Sequence, residues 1–191
     1  MKKQIEDAIS SLYSKELPLG TPISAPWERG SVQQHLRMKA VAILAAENFE
    51  GDFCEIGVMT GSTTSMLAQI AREYGRRVIG VDPFEDGRPN YNPVNYDKFI
   101  KNTGPWKDII DFLRLPSEDE QVIRFIKERN LAFAYVDGAH DYEHCSRDLK
   151  TVSHAKIVCA DDMWFEDVIK AVEETGRESI YNALGKEAYL L

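Results

Sequence analysis

Residues 52–64 constrain the fold of this chain more than any other stretch of the sequence. They begin with a short apolar run, typical of a buried parallel strand, made of Phe53, Cys54, Ile56 and Val58. Gly57 and Gly61 then form a tight turn, in which the missing Cβ atoms let the backbone approach a ligand closely. Ser62 stands where a helix would begin and can cap it. The stretch therefore predicts a strand, a glycine turn and a helix, the corner at which parallel sheets bind ligands.

A carboxylate, Glu55, interrupts this apolar run. Burying a lone charge is costly unless a partner offsets it, so we expect Glu55 to face a ligand. The spacing Glu-x-Gly-x-x-x-Gly departs from the Gly-x-Gly-x-x-Gly of dinucleotide-binding proteins, which disfavours NAD. It resembles motif I of class I S-adenosylmethionine-dependent methyltransferases instead. The resemblance implies that Glu55, Gly57, Gly61 and Ser62 contact this cofactor, and an ordinary strand–turn–helix corner is the alternative.

The rest of the chain alternates strand-like apolar runs with amphipathic helices. Later strands are expected over 78–81, 109–115, 131–136 and 156–160, with a terminal pair over 179–183 and 186–191. Ser117 and Glu120 have the spacing of a capping box, which predicts a helix start after the third strand. A class I methyltransferase would show this alternation. The resemblance therefore implies an α/β fold: a Rossmann-like, doubly wound, mostly parallel seven-stranded sheet with a C-terminal antiparallel hairpin.

Asp82 ends the second expected strand. One right-handed βαβ unit would bring it beside Glu55 and Gly57, because the carboxyl ends of neighbouring parallel strands meet at one edge of the sheet. A carboxylate there can accept hydrogen bonds from ribose hydroxyls, whereas a simple turn before Pro83 is the alternative. The resemblance also implies that the turn after the third strand lies beside the adenine. This nominates Ser117 as a further cofactor-binding residue, although a capping role would explain it equally well.

Three carboxylates end two strands that should be neighbours. Asp137 follows the fourth strand, and Asp161 and Asp162 follow the fifth. Converging carboxylates repel one another unless a cation lies among them. Oxygen ligands suit Mg²⁺, with Mn²⁺ or Ca²⁺ as alternatives, so we expect a divalent metal site. A helix cap at Asp162 is the other interpretation, since two adjacent strand residues can share a site only if the chain turns there.

His140 lies three residues after Asp137, in the turn beside the expected metal. It can remove a proton from a substrate hydroxyl, a general-base task to which histidine is suited near neutral pH. A metal-ligand role and a structural or helix-capping role stay open. Among the other histidines, His144 would follow one helical turn later, and His35 and His154 lack acidic neighbours in the sequence.

With these residues in place, residues 51–174 resemble the macrocin O-methyltransferase type, metal-dependent enzymes that act on sugar hydroxyls of natural products. The resemblance implies that Asp137, Asp161 and Asp162 hold the metal, that Asp137 also contacts the cofactor, and that His140 is the base. Catechol-type methyltransferases share this plan with Asp-Asn in place of the pair. The implied reaction transfers a methyl group from S-adenosylmethionine to a hydroxyl of a small molecule, such as a sugar or natural product. The chain is short for a pocket that takes a large glycosylated substrate, which leaves the substrate class open.

Two other functions stay open at this point. One is a non-catalytic S-adenosylmethionine-binding module, against which the acidic triad argues, because a simple binder needs no metal. The other is a hydroxylase-like metal protein of the same fold. That function would need redox iron, and the sequence shows no set of two histidines and one carboxylate.

Composition and charge restrict the partners. The formal net charge of −8 opposes binding to nucleic acid phosphates. No apolar run has the length of a membrane span, and the start of the chain is typical of a polar helix and not of a signal sequence. We therefore predict a cytoplasmic protein that binds neither nucleic acid nor membranes. Cys54, Cys145 and Cys159 form no metal-spaced pair and are predicted to be reduced packing residues.

The length is that of one domain, 1–191, with N-terminal helices and a lid over 1–50 and the Rossmann-like core over 51–191. Residues 2–15 have the spacing of an amphipathic helix that could pack, swap or dimerise, so a homo-oligomer through the N-terminal helices is one expectation.

Residues 24–30 are predicted to be irregular, and they contain Trp27 and Arg29, which would form a lid over the site or a packed loop. Ser31 and Gln34 then have the spacing of a capping box, which predicts that the second helix begins there.

Overall fold

The computed structural model describes residues 1–13, 26–84, 93–181 and 186–191, and the side chains of 1–10, 34–84, 95–180 and 186–191. The strands are β1 (Asp52–Ile56), β2 (Val78–Val81), β3 (Ile110–Leu113), β4 (Leu131–Val136), β5 (Ile157–Ala160), β6 (Ser179–Tyr181) and β7 (Ala188–Leu190). The helices are α1 (Lys2–Tyr13), α2 (Pro26–Asn48), α3 (Ser62–Glu73), α4 (Pro93–Thr103), α5 (Glu120–Lys127), α6 (Tyr142–Thr151) and α7 (Glu166–Glu173).

The seven strands form one sheet in the order β3-β2-β1-β4-β5-β7-β6. Strands β1 to β5 are parallel, and β7 runs antiparallel between β5 and β6. This is the predicted doubly wound sheet with its antiparallel C-terminal pair, so the expected fold class is confirmed. The strand order reverses between β1 and β4, which puts the topological switch point, the usual ligand crevice, just after β1.

Helices cover both faces of the sheet. On one face, α5, α6 and α7 pack against the alternate residues Cys54 and Ile56 of β1. On the other face, α1, α2 and α3 pack around Phe53. Ile5 and Ile9 of α1 are buried in this second cluster, so α1 packs on the core of its own chain. Within the described residues, no helix is both long enough and apolar enough to cross a membrane.

Contacts within the protein require glycine at two positions of the turn after β1. Gly57 has a φ of +89°, and a Cβ added there would lie 2.0 Å from the carbonyl oxygen of Asp137. Gly61 has a φ of +75°, and its Cβ would lie 2.8 Å from the ring of Phe99 in α4. Both positions need a residue without a side chain, because the backbone conformation and the neighbouring atoms exclude one. The two glycines therefore fit the β1 turn against β4 and α4, whatever ligand the turn binds.

The start of α2 was predicted wrongly. The capping box at Ser31 and Gln34 does not begin a helix, because α2 begins at Pro26 and runs through both residues. Proline is well suited to the first turn of a helix, where its missing N–H has no partner to lose. Residues 26–30, predicted to be irregular, are therefore helical. The side chains of Trp27 and Arg29 lie outside the described part of the chain, as do residues 24 and 25, so the expected lid stays a prediction.

Two other predicted helix caps were also wrong. Gly61 precedes the first helical residue of α3, so Ser62 lies inside the helix and makes no capping hydrogen bond. At α5 the cap is Asp119, whose side chain accepts a hydrogen bond from the N–H of Gln121, and not Ser117. In both cases the helix begins at a different residue from the one that the capping pattern predicts. A local sequence pattern does not determine the exact residue at which a helix begins.

Candidate active site

The carboxyl edge of β2 carries Asp82, as predicted. One oxygen of Asp82 accepts a hydrogen bond from the N–H of Met59, 3.0 Å away in the β1 turn, and the other accepts from the N–H of Phe84 at 2.9 Å. Asp82 thus lies beside the β1 turn and fixes its backbone. Each carboxylate oxygen has a second lone pair, which leaves capacity for ribose hydroxyls.

Glu55 points to the face of the sheet covered by α3. Its side chain is 1% exposed, and its Oε2 accepts a hydrogen bond of 2.5 Å from the Thr64 hydroxyl. Burial raises the pKa of Glu55 to about 8, and the charge of Asp82 adds to this shift. The protein itself therefore supplies a partner for this carboxyl group, and its contact with a ligand stays a prediction.

The turns after β4 and β5 bring together Asp137, His140 and Asp162. One potential ligand atom from each lies within 4.8 Å of the others, and the three side chains are half-buried. Nε2 of His140 lies 2.7 Å from Oδ2 of Asp162. Asp161, the third predicted metal ligand, is not in this group, whereas His140, predicted as the base, is as close as the two carboxylates. The metal-binding role of these residues stays a prediction.

Asp162 reaches the cluster because the chain turns after Asp161. Asp162 has a φ of +54°, the left-handed region, so it leaves the alternation of the strand. Asp162 does not cap a helix, since α7 begins only at Glu166 after Phe165. The Phe165 ring instead stacks on His140, with centroids 4.8 Å apart and planes 11° apart, and restricts the orientation of the imidazole.

Asp161 is held by two residues that the sequence did not single out. Its Oδ1 accepts a hydrogen bond of 2.5 Å from Nε2 of Gln34 in α2, and its Oδ2 accepts one of 2.7 Å from the hydroxyl of Tyr135 in β4. The same hydroxyl lies 3.2 Å from Oδ2 of Asp137. Polar residues inside otherwise apolar segments were the signal that could have drawn attention to Gln34 and Tyr135.

The electrostatics of the cluster are those of crowded carboxylates. The pKa of Asp137 is raised well above its usual value by burial and by the charges of Asp161 and Asp162. The pKa of Asp162 is also raised by burial and by Asp161, while His140 and Lys186 partly offset the effect. A cation placed among these groups would relieve the repulsion.

Comparison with known proteins identifies the domain. A family model described as a methyltransferase domain matches residues 54–156, which is more than half of the chain. The chain belongs to this methyltransferase domain family. The resemblance first recognised in motif I is thereby confirmed, since the match includes motif I, Asp82 and Asp137. No curated protein matches the chain in sequence.

Solved structures of other methyltransferases share the fold of this methyltransferase domain. CalS11, described as a TDP-rhamnose 3'-O-methyltransferase of calicheamicin biosynthesis, is 16% identical with a TM-score of 0.64, over 99% of this chain and 93% of its own. The O-methyltransferase NovP is 17% identical with a TM-score of 0.62, over 99% and 96%. PaMTH1 from Podospora anserina, solved with S-adenosylhomocysteine, is 10% identical with a TM-score of 0.56, over 99% and 87%. At these identities the similarity establishes the fold.

In this methyltransferase domain, Ser117 lies beside a buried carboxyl group. Ser117 lies near Asp148 of α6, which is 1% exposed and packs against Gly138 in the β4 turn. Burial raises the pKa of Asp148 to about 6, while Ser117 lowers the pKa of that carboxyl group and partly offsets the effect of burial. The pair connects the turns after β3 and β4, and its contact with the adenine stays a prediction.

Proposed function

We propose that this protein is an S-adenosylmethionine-dependent O-methyltransferase that methylates a hydroxyl of a small molecule with the help of a divalent cation. The observation that carries the proposal is the convergence of Asp137, His140 and Asp162 in a methyltransferase domain, at the sheet edge that also carries motif I. A domain that only bound the cofactor would have no use for this group of acids and base.

The residues at this edge fit a hard divalent cation such as Mg²⁺. Asp137 and Asp162 offer carboxylate oxygens within 4.8 Å of each other. Asp161, whose two oxygens accept hydrogen bonds from Gln34 and Tyr135, would be a further ligand. Oxygen ligands of this kind suit Mg²⁺ or Mn²⁺. When bound, such an ion would orient the acceptor hydroxyl and make it more acidic.

His140 has the geometry of a general base. In the neutral tautomer that donates its Nε2–H to Asp162, Nδ1 carries the lone pair that can take a proton. Stacking on Phe165 holds the ring in one orientation. His140 would remove the proton of the acceptor hydroxyl while its oxygen attacks the sulfonium methyl group in line, which releases S-adenosylhomocysteine.

The edge formed by β1 and β2 suits the methyl donor. The β1 turn with Gly57 and Gly61 would contact the amino acid part, and Asp82 would accept hydrogen bonds from the ribose hydroxyls. In the order β3-β2-β1, the adenine would then extend toward the β3 turn with Ser117. This arrangement directs the methyl group toward the cluster at β4 and β5.

The surroundings of His140 support an acceptor with an apolar face, such as a sugar ring or a natural product. Trp164 is 56% exposed and Phe165 41% exposed, and both follow Asp162 closely in the chain. Exposed aromatic rings beside a polar site suit ligands that are apolar on one side and hydroxylated on the other. CalS11, which shares the fold, is described as acting on TDP-rhamnose, so rhamnose-containing nucleotides are the first acceptors to examine.

Calorimetry with S-adenosylhomocysteine tests the donor site. We expect wild-type protein to bind S-adenosylhomocysteine and not NAD, and Asp82→Ala to weaken the binding by about 1.5–3 kcal/mol, the contribution of a hydrogen bond to a charged group. Asp108→Ala is the matched control, because Asp108 precedes β3 at the opposite edge of the sheet and is exposed. If folded Asp82→Ala protein binds S-adenosylhomocysteine with wild-type affinity, Asp82 does not contact the ribose.

Methyl transfer to TDP-rhamnose and to simple hydroxylated aromatic compounds tests the reaction itself. Release of S-adenosylhomocysteine should need Mg²⁺ or Mn²⁺ and should stop when the ion is chelated. Turnover that survives exhaustive chelation would show that the acidic cluster is structural. Tight S-adenosylmethionine binding without any turnover would favour a non-catalytic binding module.

A further inference from the structure

The hydroxyl of Tyr135 lies between Asp137, a member of the cluster, and Asp161, the further carboxylate that the sequence predicts to bind the metal. It donates a hydrogen bond to Oδ2 of Asp161 over 2.7 Å and lies 3.2 Å from Oδ2 of Asp137. Tyr135 is 3% exposed, and Asp161 is 8% exposed. Water therefore has little access to the carboxylate of Asp161, which the phenol contacts directly.

Tyr135 is held rigidly in the middle of the sheet. It belongs to β4 and lies directly opposite Cys159 of β5, so its side chain points to the face covered by α2. Asp137 lies two residues after Tyr135, just past the end of β4. Asp161 lies two residues after Cys159, just past the end of β5. The strand alternation therefore places both carboxylates on the same face as the phenol.

We infer that Tyr135 is a positioning residue for the cation site, whose hydroxyl orients the carboxylate of Asp161 and holds it next to Asp137, so that both can face one divalent ion. The inference rests on the proposed function, because it assumes that the cluster binds a cation. A carboxylate that accepts one hydrogen bond retains lone pairs for a metal, and such bonds fix its direction. Gln34 of α2 supports the same carboxylate from its other oxygen.

The experiment compares Mn²⁺ binding by wild-type protein, Tyr135→Phe and Tyr189→Phe, measured from free Mn²⁺ by electron paramagnetic resonance. Tyr189 is a matched control, because it faces Cys159 from the other side in β7, is fully buried, and loses one hydroxyl near Glu187. We expect Tyr135→Phe to bind Mn²⁺ about 10- to 100-fold more weakly, the usual effect of removing a residue that orients metal ligands. Tyr189→Phe should bind Mn²⁺ like wild type.

Calorimetry with S-adenosylhomocysteine in the absence of metal shows whether the variants keep the fold and the donor site. Tyr135→Phe should retain wild-type affinity in this measurement. Gln34→Met keeps the side-chain volume and removes the donor to Asp161, so it provides a second variant if Tyr135→Phe does not fold. It should also weaken Mn²⁺ binding.

Two results would overturn the role of Tyr135. One is wild-type Mn²⁺ affinity in folded Tyr135→Phe protein, and the other is equal weakening in Tyr135→Phe and Tyr189→Phe. If wild-type protein binds S-adenosylhomocysteine but no Mn²⁺, the proposed function does not involve a cation. The proposed role of Tyr135 would then be wrong as well.

Discussion

His140 and His144 form closely similar pairs with aspartates. Nε2 of His140 lies 2.7 Å from Asp162, Nδ1 of His144 lies 2.8 Å from Asp141, and both side chains are 37% exposed. Only His140 belongs to the cluster with Asp137 among the described residues. Comparing variants of the two histidines therefore distinguishes a catalytic role of His140 from the general effect of losing a histidine–aspartate pair.

We expect His140→Ala to lower turnover by roughly 10²–10⁴-fold, the contribution of a positioned general base. His144→Ala should leave turnover nearly unchanged. Steady-state kinetics on an identified acceptor, with Mn²⁺ and S-adenosylhomocysteine affinities measured in parallel, checks this. A large loss of Mn²⁺ affinity in His140→Ala would assign His140 as a metal ligand, and full turnover would make it structural.

Glu55 should make the stability of the fold depend on pH. Its pKa rises from 4.5 to about 8 on folding, so between these values the folded protein keeps a proton that the unfolded chain loses. The contribution is most favourable below pH 4.5 and is lost as the pH rises toward 8. A tenfold difference in the acid dissociation constant between the folded and unfolded states corresponds to about 1.4 kcal/mol of stability.

Chemical denaturation of wild type and Glu55→Gln, from about pH 5 to about pH 8, tests this effect, because the linkage between proton binding and folding acts in that range. The variant should lose less stability than wild type as the pH rises, because glutamine does not titrate. Glu73→Gln, on the exposed side of α3, should follow the wild-type profile. Parallel profiles for wild type and Glu55→Gln would contradict the raised pKa of the Glu55 carboxyl group.

Helix α2 is attached to the C-terminal strand pair by a buried ion pair. Nε of Arg37 lies 2.6 Å from Oε1 of Glu187, and the two side chains are 1% and 0% exposed. The same helix carries Gln34, which contacts Asp161. The position of α2 therefore affects both the stability of the fold and the geometry of the candidate metal site.

Removing one member of this pair should be more harmful than removing both. Arg37→Met removes the cation that lies against the buried carboxylate of Glu187, which we expect to cost about 3–5 kcal/mol of unfolding free energy. The double variant Arg37→Met with Glu187→Gln should recover part of this loss. Lys2→Met, which breaks the exposed pair with Glu178, should have a much smaller effect, because surface ion pairs are screened by solvent. Denaturant titrations would contradict this account if Arg37→Met were as stable as Lys2→Met.

The whole molecule should unfold as one unit. The N-terminal helices α1 and α2 share a hydrophobic cluster with α3 and with strands β1, β2, β4, β5 and β7. Because both faces of one sheet are covered by helices from the entire chain, 1–50 and 51–191 have no separate cores within the described residues. This supports the proposal of a single domain.

We expect one cooperative transition in urea, with the same midpoint by circular dichroism and by tryptophan fluorescence. Ile5→Ala should lower that midpoint, since replacing a large buried side chain with a smaller one costs about 2–5 kcal/mol. Size-exclusion chromatography of the wild-type protein tests the predicted homo-oligomer through the N-terminal helices. Two separate transitions would contradict the single domain.

The sequence by itself determined the order of the elements and the residues at the ends of the strands. Apolar runs, glycines and terminal aspartates are local patterns, so Glu55, Asp82, Asp137 and the Asp161–Asp162 pair could be assigned to strands or strand ends. Parallel strands connected by helices have few arrangements, and the resemblance to class I methyltransferases implied which of them this sheet adopts.

Only the tertiary structure decided which side chains meet. Gln34 and Asp161 are 127 residues apart in the chain, and Arg37 and Glu187 are 150 apart. Such contacts depend on which face of α2 packs on the sheet and on how far the β5 strand extends before it turns. The capping patterns at Ser31 and Ser117 failed for the same reason, because packing sets where the backbone enters a helix, and many polar residues could serve as the cap.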